Sequence, residues 1–307
     1  MTIDIVIPNY NGLALLKENL PRTIEEIERY KGLVIVVDDG SDHNEFEALE
    51  AFIKSLSNGS IILLRNKKNL GFSSTVNRGV AQSKADLVAL INTDVKPEKN
   101  FLEAAIKDLE SDDNLFGVGF LDRSIEDGKT VLRGRGLANW EKGFLVHKRG
   151  EVDKTDTFWI SGGSSIVRRD LFEKLSGFDT LYGPFYWEDI DLSYRAKKSG
   201  YKIKFEPDSI VVHKHAEGAI KKHFTDAHIK TVAYRNQFIF VWKNITDLKL
   251  IVSHLFWLPY HLLMSILKLD APFISGFIFA LLRFPIIILR RFKQGKLYKM
   301  SDSALFR

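Results

Sequence analysis

Over its first hundred residues this chain alternates short β-branched runs with helix-length amphipathic stretches, and that alternation limits its fold more than any other feature. Ile3-Asp4-Ile5-Val6-Ile7 and Leu33-Val34-Ile35-Val36-Val37 each end in a polar turn, as buried parallel strands do, and residues 61–64 and 87–91 repeat the pattern. Residues 14–30, 45–55 and 75–82 between them carry the helical period. Strand and helix therefore take turns, which specifies a doubly wound α/β sheet. Ligands of such sheets bind beyond the carboxyl ends of the strands. The turns to read are Pro8-Asn9-Tyr10-Asn11-Gly12, Asp38-Asp39-Gly40-Ser41, residues 66–72 and Asn92-Thr93-Asp94, all of them polar. No G-x-G-x-x-G follows the first strand and no G-x-x-x-x-G-K-[ST] occurs, which speaks against a dinucleotide dehydrogenase or a P-loop NTPase.

Residues 95–230 are mixed. They hold a Gly-rich turn, Ser161-Gly162-Gly163-Ser164, helical patterns over 169–175 and 190–199, and strand-like runs at 203–205 and 209–212. From residue 248 the composition shifts to strongly apolar stretches, 250–267 and 273–289, followed by Arg290-Arg291-Phe292-Lys293. A length of 307 residues suits one large α/β domain with an appendage, or two domains of about 150. Zero cysteines exclude a disulfide framework, a zinc-thiolate site, an iron–sulfur cluster and a cysteine nucleophile. The opening Met1-Thr2-Ile3-Asp4 has no basic region before its short apolar run, so no secretory leader is expected.

The net charge of +5 is compatible with nucleic acid, an anionic membrane or phosphorylated substrates. The clearest basic cluster sits beside the apolar stretches and no nucleic-acid-binding motif is present, so no nucleic-acid partner is expected. His254, Pro259 and His261 interrupt one apolar stretch, and Arg283 and Pro285 the other, which makes both marginal for crossing a bilayer. With Arg290, Arg291, Lys293, Lys296 and Lys299 alongside, they suit the interface of an anionic leaflet. A span or re-entrant hairpin, and a soluble helical appendage, stay open.

Four local clusters carry candidate chemistry. Asp38-Asp39 at a strand end can cap the next helix or accept hydrogen bonds from a nucleotide base or ribose. Asp94 emerges at the sheet's carboxyl edge, and a divalent cation bridging two phosphates needs only one or two protein carboxylates. A plain turn before Pro97 fits Asp94 equally. Trp187-Glu188-Asp189-Ile190-Asp191-Leu192 places more acid at a helix start than one cap requires. A base for a hydroxyl nucleophile needs such a rigid mount, so Asp189 or Glu188 is favoured as chemical, with Asp191 paired to Arg195 at i+4. His213 and His215 alternate after a strand-like run, and with no cysteine present they suggest a carboxylate and imidazole site if a metal binds. Among the aromatics, Trp187 lies nearest polar turns and is the best placed to meet a substrate.

In this order the motifs resemble glycosyltransferase family 2, the inverting, nucleotide-sugar-dependent GT-A enzymes, and especially its rhamnosyltransferase-like and galactofuranosyltransferase-like members. The resemblance spans about residues 1–245. It runs through Ile5-Val6-Ile7-Pro8-Asn9-Tyr10, Val37-Asp38-Asp39-Gly40-Ser41, Asn69-Leu70-Gly71-Phe72, Asn77-Arg78-Gly79, Asn92-Thr93-Asp94, Ser161-Gly162-Gly163, Gly177-Phe178-Asp179, the Trp187 to Leu192 cluster, His213 and Tyr234-Arg235-Asn236. It implies a Rossmann-like, mostly parallel central sheet flanked by helices, with the apolar helices appended.

The resemblance also implies a nucleotide-sugar half over 1–100 and an acceptor and catalytic half over 101–245, while residues 246–307 lie beyond it and are expected, from their apolar and basic composition, to associate with a membrane. Carried over, Pro8, Tyr10, Asp39, Asn69, Gly71, Asn77 and Asn92 would bind the nucleotide sugar, and Asp94 and His213 a divalent Mn²⁺ or Mg²⁺. Asp189 or Glu188 would be the base, and Trp187, Gly162 and Gly163 would meet the acceptor. The expected partners are a nucleoside-diphosphate sugar and a glycan or lipid-linked acceptor, and the expected location is the cytoplasmic face of the membrane. The D-x-D position reads Asn92-Thr93-Asp94, leaving one strong carboxylate, and His215 competes with His213. A non-catalytic nucleotide-sugar-binding or scaffold protein of the same fold is the alternative.

Overall fold

The computed structural model describes residues 1–56, 59–126, 129–213 and 224–306. The four apolar runs become β1 (Ile3–Asn9), β2 (Val34–Asp38), β3 (Ile61–Arg65) and β4 (Leu87–Ile91), linked through α1 (Leu13–Glu28), α2 (His43–Ser55) and α3 (Phe72–Gln82). They pair in parallel in the order β3-β2-β1-β4. β2 and β4 are buried at every residue, which explains runs that are apolar on both faces.

Beyond β4 come β5 (Val95–Pro97), α4 (Glu103–Ser111), β6 (Leu115–Glu126), β7 (Lys129–Arg133) and a hairpin of β8 (Gly136–Glu141) and β9 (Phe144–Arg149). β10 (Ser164–Arg168), α5 (Arg169–Lys174), α6 (Glu188–Lys198) and β11 (Lys202–His213) complete this half. Among the described residues the main sheet has nine strands in the order β3-β2-β1-β4-β10-β6-β11-β5, with β7 on β6. β10 enters antiparallel to both β4 and β6, so the sheet is parallel over its first four strands and mixed beyond them. The two strand-like runs at 203–205 and 209–212 are one strand, whose register shifts between Glu206 and Ile210 to absorb Pro207, Asp208 and Ser209.

Alternate residues of the central strands feed two cores. Ile5, Ile7, Val34 and Val36 pack with residues of α1 and α4, while Val6, Ile35, Val37 and Leu90 pack with those of α3, α5 and α6. Helix α3 approaches β1 at Gly79, where a Cβ would collide with Cγ1 of Val6 and press on Val37. Gly79→Ala is therefore expected to destabilise by about 1–3 kcal/mol, read as a lower urea midpoint at unchanged slope.

The chain continues through α7 (Asp226–Asn244), α8 (Leu248–Leu267), α9 (Ala271–Leu282), α10 (Phe284–Gly295) and α11 (Asp302–Leu305). The second apolar stretch is broken at Arg283, where Pro285 opens a new helix and the axis bends by 65°. α8 has a mean hydropathy of 1.6 and is the described helix long and apolar enough to cross a membrane by length and composition. Leu255, Phe256, Leu263, Leu282, Leu289 and Phe292 all stand exposed. The chain then turns back. The buried Asp302 accepts hydrogen bonds from the backbone of Thr246 (2.6 Å) and Asp247 (2.7 Å) and from the Tyr194 hydroxyl, and pairs with Lys198 at 2.6 Å, which ties the end of the chain to α6.

Candidate active site

Two consecutive left-handed residues, Tyr186 (φ 69°) and Trp187 (φ 78°), turn the backbone into α6. Such conformations cost roughly 1–3 kcal/mol each for side chains of this size, so the surroundings must impose them. Asn236 on α7 does so. Its Nδ2 donates toward the carbonyls of Tyr182 (2.7 Å), Phe185 (3.0 Å) and Tyr186 (2.8 Å), while its Oδ1 accepts from Arg235 Nε at 2.9 Å. Arg235 Nη2 adds a 2.5 Å bond to the Gly183 carbonyl. The Arg235-Asn236 pair thus fixes where α6 begins and where its acidic residues point.

Three carboxylates at that helix start meet three different environments. Asp191 is fully buried and accepts from Arg195 Nε at 2.6 Å, the i+4 pair expected from the sequence, and Lys243 and Asn244 reach its other oxygen at 2.7 Å each. Glu188 is also buried, with Oε2 unpartnered, and burial followed by the charge of Asp189 pushes its carboxyl well above the usual range. Burial raises Asp189 to about 6, although backbone N–H groups of Ile190 and Gly162 hold its carboxylate. Asp189 lines a cleft of about 300 Å³ together with Trp159, Ser161, Ser164 and Asp122, and its far wall is the β8–β9 hairpin. Trp187 does not offer its face to that cleft. It is 6% exposed and packs against Phe240 and the edge of His147, because the left-handed turn swings it inward, and Trp159 is the tryptophan on the cleft wall.

At the sheet edge, Asp94 and His213 come together from β4–β5 and β11. His213 Nε2 is 3.2 Å from Asp94 Oδ2, and Nδ1 is 2.9 Å from Asp122 Oδ2. Asp122 in turn accepts from Ser124 Oγ at 2.9 Å. Burial lowers the imidazole's affinity for a proton, but Asp122 and Asp94 outweigh it and raise the group to about 9. Among the described residues no three such side chains converge on one point, since Asp94 and Asp122 flank opposite nitrogens of one ring. Two donors, Nε2 and the Asp94 carboxylate, do face each other, with the other nitrogen held by a carboxylate as metal-binding imidazoles are held. Asp122 escaped the sequence reading, although the signal was there in an acid that follows the apolar run 115–121. His215 lies outside the described residues.

The remaining candidates gather around the ends of β1 to β4. Pro8 is partly buried, and Tyr10 and Asn69 are exposed there. Asp39 is spent within the protein, accepting from Asn66 Nδ2 (2.7 Å) and from the backbone N–H groups of Leu70 and Gly71 (2.9 Å each), so it shapes the 66–71 loop. Asn77 is likewise committed, bonding the carbonyl and N–H of Phe178 at 2.8 and 2.9 Å. Gly162 and Gly163 are close-approach positions, the first against Phe72 and Phe178, the second where a Cβ would strike the Asn92 amide. Asn92 itself bonds the Gly163 carbonyl through its backbone, joining the two halves of the site.

A sheet-edge imidazole and carboxylate beside a cleft with a buried carboxyl is the layout the sequence resemblance implies, and comparison with known proteins decides the family. Residues 4–176 match the model of "Glycosyl transferase family 2", more than half of the chain. The chain belongs to glycosyl transferase family 2. This family 2 chain is 28% identical over 219 residues to a probable glycosyltransferase, YdaM, of Bacillus subtilis, covering 68% of itself and 49% of that protein. It is 26% identical over 223 residues to the O-antigen chain rhamnosyltransferase RfbN of Salmonella typhimurium, covering 70% and 67%. Among solved structures, GalNAc-T7 with UDP, GalNAc and Mn²⁺ superposes at a TM-score of 0.65 and 20% identity over 79% of this chain and 48% of that one, a likeness of fold. The fold of the family 2 chain is GT-A, and it spans about half the length of the first of these relatives.

Proposed function

We propose that this protein is an inverting glycosyltransferase that moves a sugar from a nucleoside-diphosphate donor to a hydroxyl of a glycan or lipid-linked acceptor, in the synthesis of a cell-surface polysaccharide. The observation that carries this reading is a cleft lined both by Asp122, which holds His213, and by Asp189. The nucleotide occupies the strand ends at Pro8, Tyr10, Asn69, Gly71 and Asn92 within residues 1–100, and the acceptor uses 101–245. Asp94 and His213 would hold a divalent cation, Mn²⁺ or Mg²⁺, since a cation that also meets phosphates needs only one or two protein ligands. When bound, that cation offsets charge on the departing diphosphate.

This chain's own residues do the rest. The carboxylate of Asp189, oriented by the N–H groups of Ile190 and Gly162, accepts the proton of the attacking hydroxyl. Asp122 keeps the His213 ring in place. Glu188, buried and outside the cleft lining, does not meet the hydroxyl and is not the base. Residues 246–307 lie against the cytoplasmic face of the membrane, exposed apolar side chains inward and Arg290, Lys293 and Lys296 toward anionic headgroups.

The test is release of nucleoside diphosphate from a panel of UDP-, GDP- and dTDP-sugars, with Mn²⁺ or Mg²⁺ and with chelator. One donor is expected to turn over only with metal, and Asp94→Ala is expected to lose about 100-fold or more. Silence across the panel together with metal-independent nucleotide binding would move the reading to a non-catalytic binding protein.

A further inference from the structure

Three uncharged polar side chains line the Asp189 cleft without a hydrogen bond to the protein. Among the described residues, the indole N–H of Trp159, the imidazole nitrogens of His147 and the hydroxyl of Ser164 have no partner, although Ser164 is only 3% exposed. Folded proteins rarely leave such groups unpaired, so three on one cavity call for water or for a ligand with donors and acceptors of its own.

The surroundings hold these groups still. The six-membered ring of Trp159 lies against Gly136, where a Cβ would come within 2.4 Å of Cε3, Cζ3 and Cη2, so the position admits only glycine. The backbone on either side is pinned as well. The Gly136 carbonyl accepts from Phe158 N–H at 2.7 Å, and Thr157 Oγ1 donates to the Trp159 carbonyl at 2.8 Å. His147 stands between two indoles, its centroid 5.4 Å from Trp159 and 5.3 Å from Trp187, at interplanar angles of 76° and 82°. Burial by those rings lowers its affinity for a proton, which leaves a neutral imidazole with one donor and one acceptor.

Water needs hydrogen-bonding groups but makes no use of a fixed, partly exposed indole beside them. A flat apolar surface next to unpaired donors and acceptors matches a ring that is apolar on its faces and hydroxylated around its rim. The volume of about 300 Å³ is at the small end of ligand pockets and suits a single ring rather than a long chain. None of residues 8–10, 38–42, 66–72 or 92–94, the strand ends given above to the donor, lines this cleft, whereas Asp189 does.

We infer that Trp159, His147 and Ser164 form a seat for the acceptor's reacting sugar: a pyranose ring packs against the exposed part of Trp159, its hydroxyls exchange hydrogen bonds with His147, Ser164 and the indole N–H, and one further hydroxyl is thereby brought to Asp189. His147 and Ser164 select and orient the ring, and the proton still goes to Asp189. This rests on the transferase reading for the direction of transfer, but the sugar seat stands or falls by itself.

The experiment uses the full chain with ¹⁵N-labelled tryptophan, in Mg²⁺ and saturating UDP, GDP or dTDP, whichever binds best. The chain has five tryptophans, and the indole N–H resonance that disappears in Trp159→Phe reports on the seat. Methyl pyranosides of glucose, galactose, mannose, rhamnose and N-acetylglucosamine are titrated as probes, with glycerol as a polyol that has no ring. At least one glycoside is expected to shift that resonance saturably, and glycerol is not. His147→Phe keeps an aromatic ring between the indoles, and Ser164→Ala removes one atom. Each is expected to weaken that glycoside about three- to tenfold while nucleotide affinity stays within about twofold. No response to any glycoside, an equal response to glycerol, or unchanged glycoside affinity in both variants overturns the inference. Displacement of the glycoside by the best-bound nucleotide sugar but not by its diphosphate overturns it as well, because the cleft would then hold the donor's sugar. A wild-type chain that binds a glycoside but no nucleotide would instead sink the transferase reading and leave the seat in place.

Discussion

Asp189→Asn is expected to lower sugar transfer by roughly 100- to 10,000-fold while leaving nucleotide binding near that of the wild type. The amide keeps the shape and still accepts from Ile190 N–H, but it cannot take a proton from the attacking hydroxyl. In the wild type, activity needs the ionised carboxylate, and burial raises this group to about 6, so turnover is expected to fall about tenfold per pH unit below that value. Stability moves the other way. A carboxyl whose folded-state value lies above the unfolded one near 4 binds more protons folded than unfolded, so it favours the fold at low pH and opposes it once pH rises past about 6. Asp189→Asn should therefore melt no lower than the wild type at pH 8, and that combination marks a chemical role. Transfer within threefold of wild type would take the base assignment away from Asp189, and a lower melting temperature would show that the loss was structural.

What the sequence revealed and what it hid have physical causes. β2 and β4 were legible because strands buried on both faces must be apolar throughout, and the polar residues that stop each run mark the sheet edge. Strands β6 to β9 were not read. β7 and β9 are half exposed and carry Lys129, Arg133, Lys148 and Arg149, so their composition looks like a loop. The antiparallel entry of the buried β10 was invisible because composition does not encode pairing direction, and the Asp122 contact to His213 was hidden because it depends on β6 lying beside β11. The acidic cluster at residues 188–191 was legible as chemistry because it exceeds what a cap needs. Which acid faces the cleft was not legible, since the left-handed turn at Tyr186 and Trp187 sets it and a side chain some fifty residues later, Asn236, holds that turn. The same turn buries Trp187, whose place beside polar turns in sequence suggested an exposed ring.

Lys243→Met is expected to destabilise the protein by roughly 3–5 kcal/mol, a large share of the 5–15 kcal/mol typical of a folded chain. Lys243 is fully buried, and its Nζ lies 2.7 Å from both Asp179 Oδ2 and Asp191 Oδ1. Methionine fills a similar volume but leaves two buried carboxylates with Arg195 on Asp191 (2.6 Å) and the half-exposed Arg290 on Asp179 (3.3 Å). Burial by itself would push both acids up; Lys243, Arg290 and Arg195 hold Asp179 well below the usual range, and Arg195 and Lys243 do the same for Asp191. Depressed carboxyls contribute stability above their unfolded value, near 4, and lose it as pH falls through the folded value. The wild type should therefore weaken steeply on acidification. In the variant one acid regains a proton more readily, so the stability gap is expected to narrow between pH 7.5 and pH 4, as urea midpoints at the two pH values would show. A gap that stays constant with pH would mean that lost packing, rather than the unpaired charge, sets the cost. Because Asp191 sits one turn inside the helix that presents Asp189, the same variant should also lose transfer activity at temperatures where it remains folded, and Lys243→Arg should restore part of both.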